Sequence, residues 1–170
     1  MSLKRIGKKA LEFDKFSGCS QSVLLALQEE LGIGDHESFK AATVLSGGVA
    51  RHGETCGALL GGLMALGLVA GREDIRDTAT YAAAMVPAEQ IIKEFKRRLQ
   101  AEFGLKEPLD TTICWDIQKR IYGRSFNLND PKDYKDFLAM GGHGDQGCPK
   151  VCAVAAEVTA EKLIDLTKKS

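Results

Sequence analysis

The sequence predicts an all-α protein, a single-domain helical bundle of about six to eight helices. Three observations predict it. Apolar residues recur at helical spacing in most segments, no stretch sustains the period-two alternation of a strand, and capping residues or glycines stand at most segment ends. A chain of 170 residues fits one ordinary domain, 1–170, and buries a core without staples.

Residues 4–16 read as a short basic helix, and 1–17 as a loosely packed N-terminal segment broken at Ser17-Gly18. Ser20 suits the cap of the next helix, whose apolar stripe is Val23, Leu24, Leu27 and Leu31 and which ends at Gly32 and Gly34. Asp35 suits the cap of a third helix through Phe39, Ala42, Thr43 and Leu45, stopped by Ser46-Gly47-Gly48. A glycine-rich apolar helix begins near Thr55. A long polar-faced helix follows near 72–103, and Pro87 inside it predicts a kink or break near Met85 because proline removes a backbone donor. Thr111 or Thr112 suits the cap of a helix to Ile121, and Asn129-Asp130-Pro131 the start of a short one. The glycine-rich stretch 140–147 reads as the most flexible part of the chain. The last helix runs from Cys148, with Pro149 at the favoured first position, to about Thr167.

Composition narrows the function. Acidic and basic residues balance at 23 each and aromatics are sparse, which argues against a nucleic-acid partner. The N-terminus has charge but no apolar run of the signal-peptide type. The longest apolar stretch, 56–70, carries four glycines and is too short to insert across a membrane. A cytoplasmic location is expected, where cysteines more often do metal or redox work than form structural disulfides. There is no P-loop, no dinucleotide glycine fingerprint after a strand, and no His-Glu-x-x-His. The basic Lys4, Arg5, Lys8 and Lys9 form a solubilising segment suited to an acidic partner. Arg97, Arg98 and Lys168-Lys169 read as solvated helix ends.

Five cysteines carry the functional signal. Cys19, Cys56, Cys114 and Cys148 each stand where a helix begins, and Cys152 lies one turn into the last helix. Unpaired N–H groups and the positive end of the macrodipole favour thiolate at a helix start. A lowered thiol pKa is therefore expected at one or more of these positions, with Cys56 and Cys148, each flanked by glycine, as the candidate reactive positions; a Cys148–Cys152 disulfide is the pairing that helical geometry would strain. One such cysteine would be an ordinary small core residue; five in this placement point to chemistry. Gly57, Gly61, Gly62 and Gly67 lie in one helix, where glycine costs about 1 kcal/mol relative to alanine. Gly57 and Gly61 share a face, next to one holding Ala58, Gly62 and Ala65. Such a surface suits close helix packing, a cofactor lying against it, or a homodimer through the Gly/Ala face. His52 and His143 precede Cys56 and Cys148 by four and five residues, which puts both within reach of the site, with an exposed loop histidine the stronger reading for each; His36 reads as surface. Trp115 reads as core, and Glu54 as favouring its helix N-terminus without a catalytic role.

The run Cys56-Gly57-Ala58-Leu59-Leu60-Gly61 is a CGAxxG motif. With Cys19 in Gly-Cys-Ser-Gln-Ser-Val, Cys114 in Thr-Ile-Cys and Cys148 in Gly-Cys-Pro-Lys, it resembles the redox-active protein family named for its C…GCAxxG…C…C pattern, from about Gly18 to Leu163. The resemblance implies a distant relation to part of the split-Soret cytochromes. It also assigns Cys19, Cys56, Cys114 and Cys148 as the functional cysteines, with Cys152 an addition to the pattern. The chain carries no covalent c-type haem motif.

Three readings follow. The first is thiol redox or electron-transfer chemistry at Cys19, Cys56, Cys114 and Cys148, with an unidentified redox partner. The second is an iron–sulfur cluster or zinc held by the same four, with Cys152 and His52 as further donors. The third is a non-catalytic helical module that dimerises.

Overall fold

The structure, a computed structural model, describes residues 2–168. Met1, Lys169 and Ser170, at the ends of the expected domain, lie outside that range. Eight α-helices are described: α1 Leu3–Asp14, α2 Cys19–Leu31, α3 His36–Ala41, α4 Gly57–Ala70, α5 Thr78–Glu102, α6 Cys114–Tyr122, α7 Pro131–Ala139 and α8 Cys148–Thr167. A 3-10 turn, Ala42–Leu45, follows α3, and a single bridge, Thr55 to Ile113, is the extent of β-pairing among the described residues.

Local chemistry sets several helix starts. Asp35 and Ser38 form a reciprocal capping box on α3. Asp77 accepts from the Thr80 N–H at 2.9 Å, which starts α5 at Thr78 rather than at residue 72. Asp130 accepts from the N–H groups of Lys132 and Asp133, with Pro131 at the first position of α7. The helix α2 starts after Gly18, whose φ of 98° is left-handed, so Cys19 and not Ser20 leads it. The helix α5 continues through Pro87, so of the kink or break expected near Met85 the break does not occur. Pro87 is buried, and tertiary packing of the following turns through Ile91, Phe95 and Leu99 keeps the helix continuous.

The core is layered around α8, which buries Val151, Cys152, Val154, Ala155, Ala156, Val158, Ala160 and Leu163. Against it pack α1 through Ile6 and Ala10, α2 through Val23, Ala26 and Leu27, α4 through Ala58, Leu59 and Ala65, and the second half of α5. Full burial of a side chain such as Phe95 contributes roughly 1.5–3 kcal/mol. The N-terminal segment is therefore part of the core and not a loose tail. Three of the four basic residues named above find acids within the chain: Lys4 pairs with Glu157 at 3.2 Å, Arg5 with Glu30 at 2.9 Å, and Lys9 with Glu29 and Glu30 at 2.6 and 2.9 Å. Arg98 is likewise not a free helix end. It bridges Glu94 on its own helix to Glu161 on α8.

The glycines of α4 are explained by contact. A Cβ on Gly57 would lie 2.6 Å from Cys19 Sγ, one on Gly61 would strike the Ser20 carbonyl oxygen, and one on Gly62 would strike Thr159 Oγ1. The small face of α4 meets α2 and α8 inside the chain and is not presented to a second copy.

Candidate functional site

Four helix beginnings converge on one cavity. Cys19 leads α2 immediately after Ser17 and Gly18, both left-handed. Cys56 is the N-cap of α4 and Cys114 the first residue of α6. The Thr55–Ile113 bridge ties these two starts together: the Cys56 N–H donates to the Thr112 carbonyl at 2.8 Å and the Cys114 N–H to the Glu54 carbonyl at 2.6 Å. Cys148 opens α8 with its N–H donated to the Tyr122 hydroxyl at 2.9 Å, and that hydroxyl lies 3.5 Å from Cys148 Sγ. Cys152 lies one turn further, its thiol directed at the Cys19 carbonyl at 3.9 Å.

All five thiols line a single, largely apolar cavity of about 60 Å³, together with Asp14, Ile117, Gln118, Phe137, His143 and Val151. One part of its wall is a turn that the sequence marks only as a helix stop at Ser46-Gly47-Gly48. Residues 47–51 all adopt left-handed backbone, with φ between 49° and 71°, and three of them, Val49, Ala50 and Arg51, are not glycine. Such a conformation costs an L-residue roughly 1–2 kcal/mol. Hydrogen bonds hold it: Ala50 N–H to the Val44 carbonyl at 2.7 Å, Arg51 N–H to Ser46 at 3.1 Å, and the Asn129 amide to the Ala50 carbonyl at 3.1 Å. The Gly47 N–H faces the Cys19 sulfur, and a Cβ on Gly48 would lie 2.7 Å from Cys114 Cβ. The Gly47-Gly48 pair is the one sequence signal this turn offers.

The electrostatics reverse the expected thiolate. Burial raises the pKa of all five cysteines, Cys19, Cys114 and Cys152 well above the ordinary thiol value and Cys148 to about 12. Cys56 is raised as well, by burial, with the N–H groups of Leu59 and Ala58 acting in the opposite sense. Helix-start stabilisation of an anion is worth about 0.3–1 kcal/mol, whereas an unpaired charge taken into an apolar site costs several. Desolvation wins, and the thiols are neutral at pH 7. Iodoacetamide at pH 7.5 is therefore expected to label the native protein far more slowly than the urea-unfolded chain, with the rate still climbing above pH 9. For Cys148, a pKa moved from 9.0 to about 12 means about a thousandfold less thiolate. Fast native labelling that plateaus below pH 8 would contradict this.

The remaining residues separate into those on the cavity and those away from it. Gly57 and Gly61 do not line it, because α2 covers their face. His52 and His36 are exposed and away from it. Trp115 is not core: it keeps 39% exposure, lies over Gly53 and donates Nε1–H to the Phe126 carbonyl at 2.9 Å. His143 is not an exposed loop residue. It lines the cavity, packs edge-on to Phe137 at 5.3 Å between centroids, and holds Nδ1 3.5 Å from Asp14 Oδ2. Asp14 itself, 1% exposed at the end of α1, carried no signal in the sequence. Soft donors around one cavity have the chemistry for zinc or an iron–sulfur cluster. Among the described residues, however, no three or more His, Cys, Asp or Glu side chains are arranged to hold a metal ion.

An all-helical domain with five free thiols on one cavity belongs to the class of cysteine-centred proteins. The family described as "Putative redox-active protein (C_GCAxxG_C_C)" matches residues 17–162, and the chain belongs to this family. Comparison with curated proteins and with solved structures gives no match. No helix among the described residues is long and apolar enough to cross a membrane.

Proposed function

We propose that this member of a redox-active family works by dithiol–disulfide exchange among the thiols of its cavity. The observation that supports the reading is the meeting of five free cysteines, delivered by α2, α4, α6 and α8, on one apolar cavity. Neutral, desolvated thiols make the reaction proton-coupled. Two cavity thiols and a partner disulfide become one cavity disulfide and two partner thiols: two S–H bonds and one S–S bond break, two S–H bonds and one S–S bond form, and two electrons pass to the partner. Cys19 and Cys148 are the two cysteines of the set that keep partial exposure as residues, although their sulfurs are buried, and they are the candidates for first contact with a partner disulfide. Such exchange suits a reducing compartment, in keeping with the cytoplasmic location expected from the sequence.

The test is a redox titration of metal-free protein purified without oxygen. Across glutathione buffers the oxidised fraction is expected to follow a two-electron slope, about 30 mV per decade, with two thiols lost per protein. Stoichiometric iron with acid-labile sulfide, or stoichiometric zinc, in the purified protein would replace this reading with a metal centre.

A further inference from the structure

Among the described residues Asp14 is the one carboxyl on the cavity wall, and nothing in the C…GCAxxG…C…C pattern accounts for it; the family match begins at residue 17. It is 1% exposed, and neither of its oxygens nor His143 Nδ1 has a well-formed hydrogen bond. A buried polar group left in that state costs about 1–3 kcal/mol when neutral and more when charged, so it calls for an explanation, of which a catalytic role is one. We propose that Asp14, held by His143, is the proton acceptor for the cavity thiols, an assignment that rests on the dithiol–disulfide reading above.

The groups facing Asp14 come from every element around it. His143 approaches from the segment before α8 at 3.5 Å. Cys152, on α8, lies within reach of the carboxylate's charge. Cys148 on α8, Cys19 on α2, Cys56 on α4 and Tyr122 on α6 all feel its charge. In each case a negative Asp14 raises the neighbour's pKa. The apolar cavity thus favours one negative charge at a time, on the carboxylate or on a sulfur, and a proton passing from thiol to Asp14 exchanges one for the other. Burial also raises the Asp14 pKa, which narrows the gap between acceptor and donor. The sequence of steps balances. A cavity thiol gives its proton to Asp14; its sulfur forms a bond to the near sulfur of the partner disulfide; the partner S–S bond breaks and the far sulfur leaves as thiolate. That thiolate takes the proton from Asp14. The second cavity thiol gives its proton to Asp14 and attacks the cavity sulfur of the mixed disulfide; that S–S bond breaks, the remaining partner sulfur leaves as thiolate and takes the proton from Asp14, and the cavity disulfide is closed.

The experiment is the pH profile of the exchange rate with oxidised glutathione for the wild type, Asp14→Asn and His143→Gln. Asp14→Asn keeps the shape of the side chain and removes the base. It is expected to slow exchange at pH 7 by about a hundredfold and to erase the acidic inflection of the wild-type profile. A faster Asp14→Asn would overturn the assignment, because a carboxylate that merely repels thiolate raises reactivity when it is removed. An unchanged profile would overturn it too. His143→Gln tests the same pair without altering α1: the acidic inflection is expected to move, and an unmoved profile would overturn the role of the pair. A wild type that forms no disulfide at all would overturn the thiol reading itself, an outcome distinct from a wild type that reacts while Asp14→Asn leaves it unaffected.

Discussion

The Cys56→Ser variant is expected to lose the two-electron couple while keeping its fold. Cys56 is the thiol whose charge bears on Cys19, Cys114, Cys148 and Cys152 alike, so it is the common neighbour of the set. It is also the N-cap of α4, with the N–H groups of Ala58 and Leu59 turned toward its sulfur. Serine is among the preferred residues at that position, worth about 1 kcal/mol over a residue that does not cap. The hydroxyl therefore offsets part of what the lost sulfur contact contributed, and the thermal midpoint is expected to move little. Redox titration read by thiol counting checks the result. The two-electron transition disappears in Cys56→Ser; its survival at an unchanged potential would remove Cys56 from the reacting pair.

The largest stability effect is expected at Gly61. Alanine there gains up to about 1 kcal/mol of helix propensity. Its Cβ, however, strikes the carbonyl oxygen of Ser20, a backbone atom in the first turn of α2 that no rotamer change can move aside. Overpacking of this kind costs about 1–3 kcal/mol and occasionally more, and a backbone obstacle belongs at the upper end. A net loss of about 2 kcal/mol is expected by urea denaturation. The displacement also carries Cys19, whose sulfur packs on the neighbouring Gly57, so the cavity opens with it. Gly67 supplies the control on the same helix: a Cβ there meets nothing within 4 Å, and Gly67→Ala is expected to stabilise by about 0.5–1 kcal/mol. Equal effects at the two positions would show that propensity, not the α2–α4 contact, governs both.

Most of the helices were legible because their signals are local. Asp35, Asp130 with Pro131, and Cys148-Pro149 mark helix starts that the structure reproduces. Pro87 misled in part. Its missing N–H predicted a kink or a break, and the break is absent because the packing of Ile91, Phe95 and Leu99 holds the helix together. The basic N-terminus misled in the same way. Its charges looked unpartnered because Glu30 and Glu157 are distant in sequence and adjacent only after α1 has packed.

The sequence by itself determined the helical class, the placement of four cysteines at helix starts, and the small face of α4, because each depends on residues within a turn or two of one another. Only the tertiary structure decided what those features do. It brought five thiols to one cavity, enclosed the small face within the chain, and placed Asp14 and His143, 129 positions apart in the numbering, against the same wall. It also reversed the expected charge state of the sulfurs. A helix N-terminus is visible in sequence and favours thiolate weakly; the desolvation that opposes it depends on what the rest of the chain packs around the sulfur, and that exists only in the folded molecule.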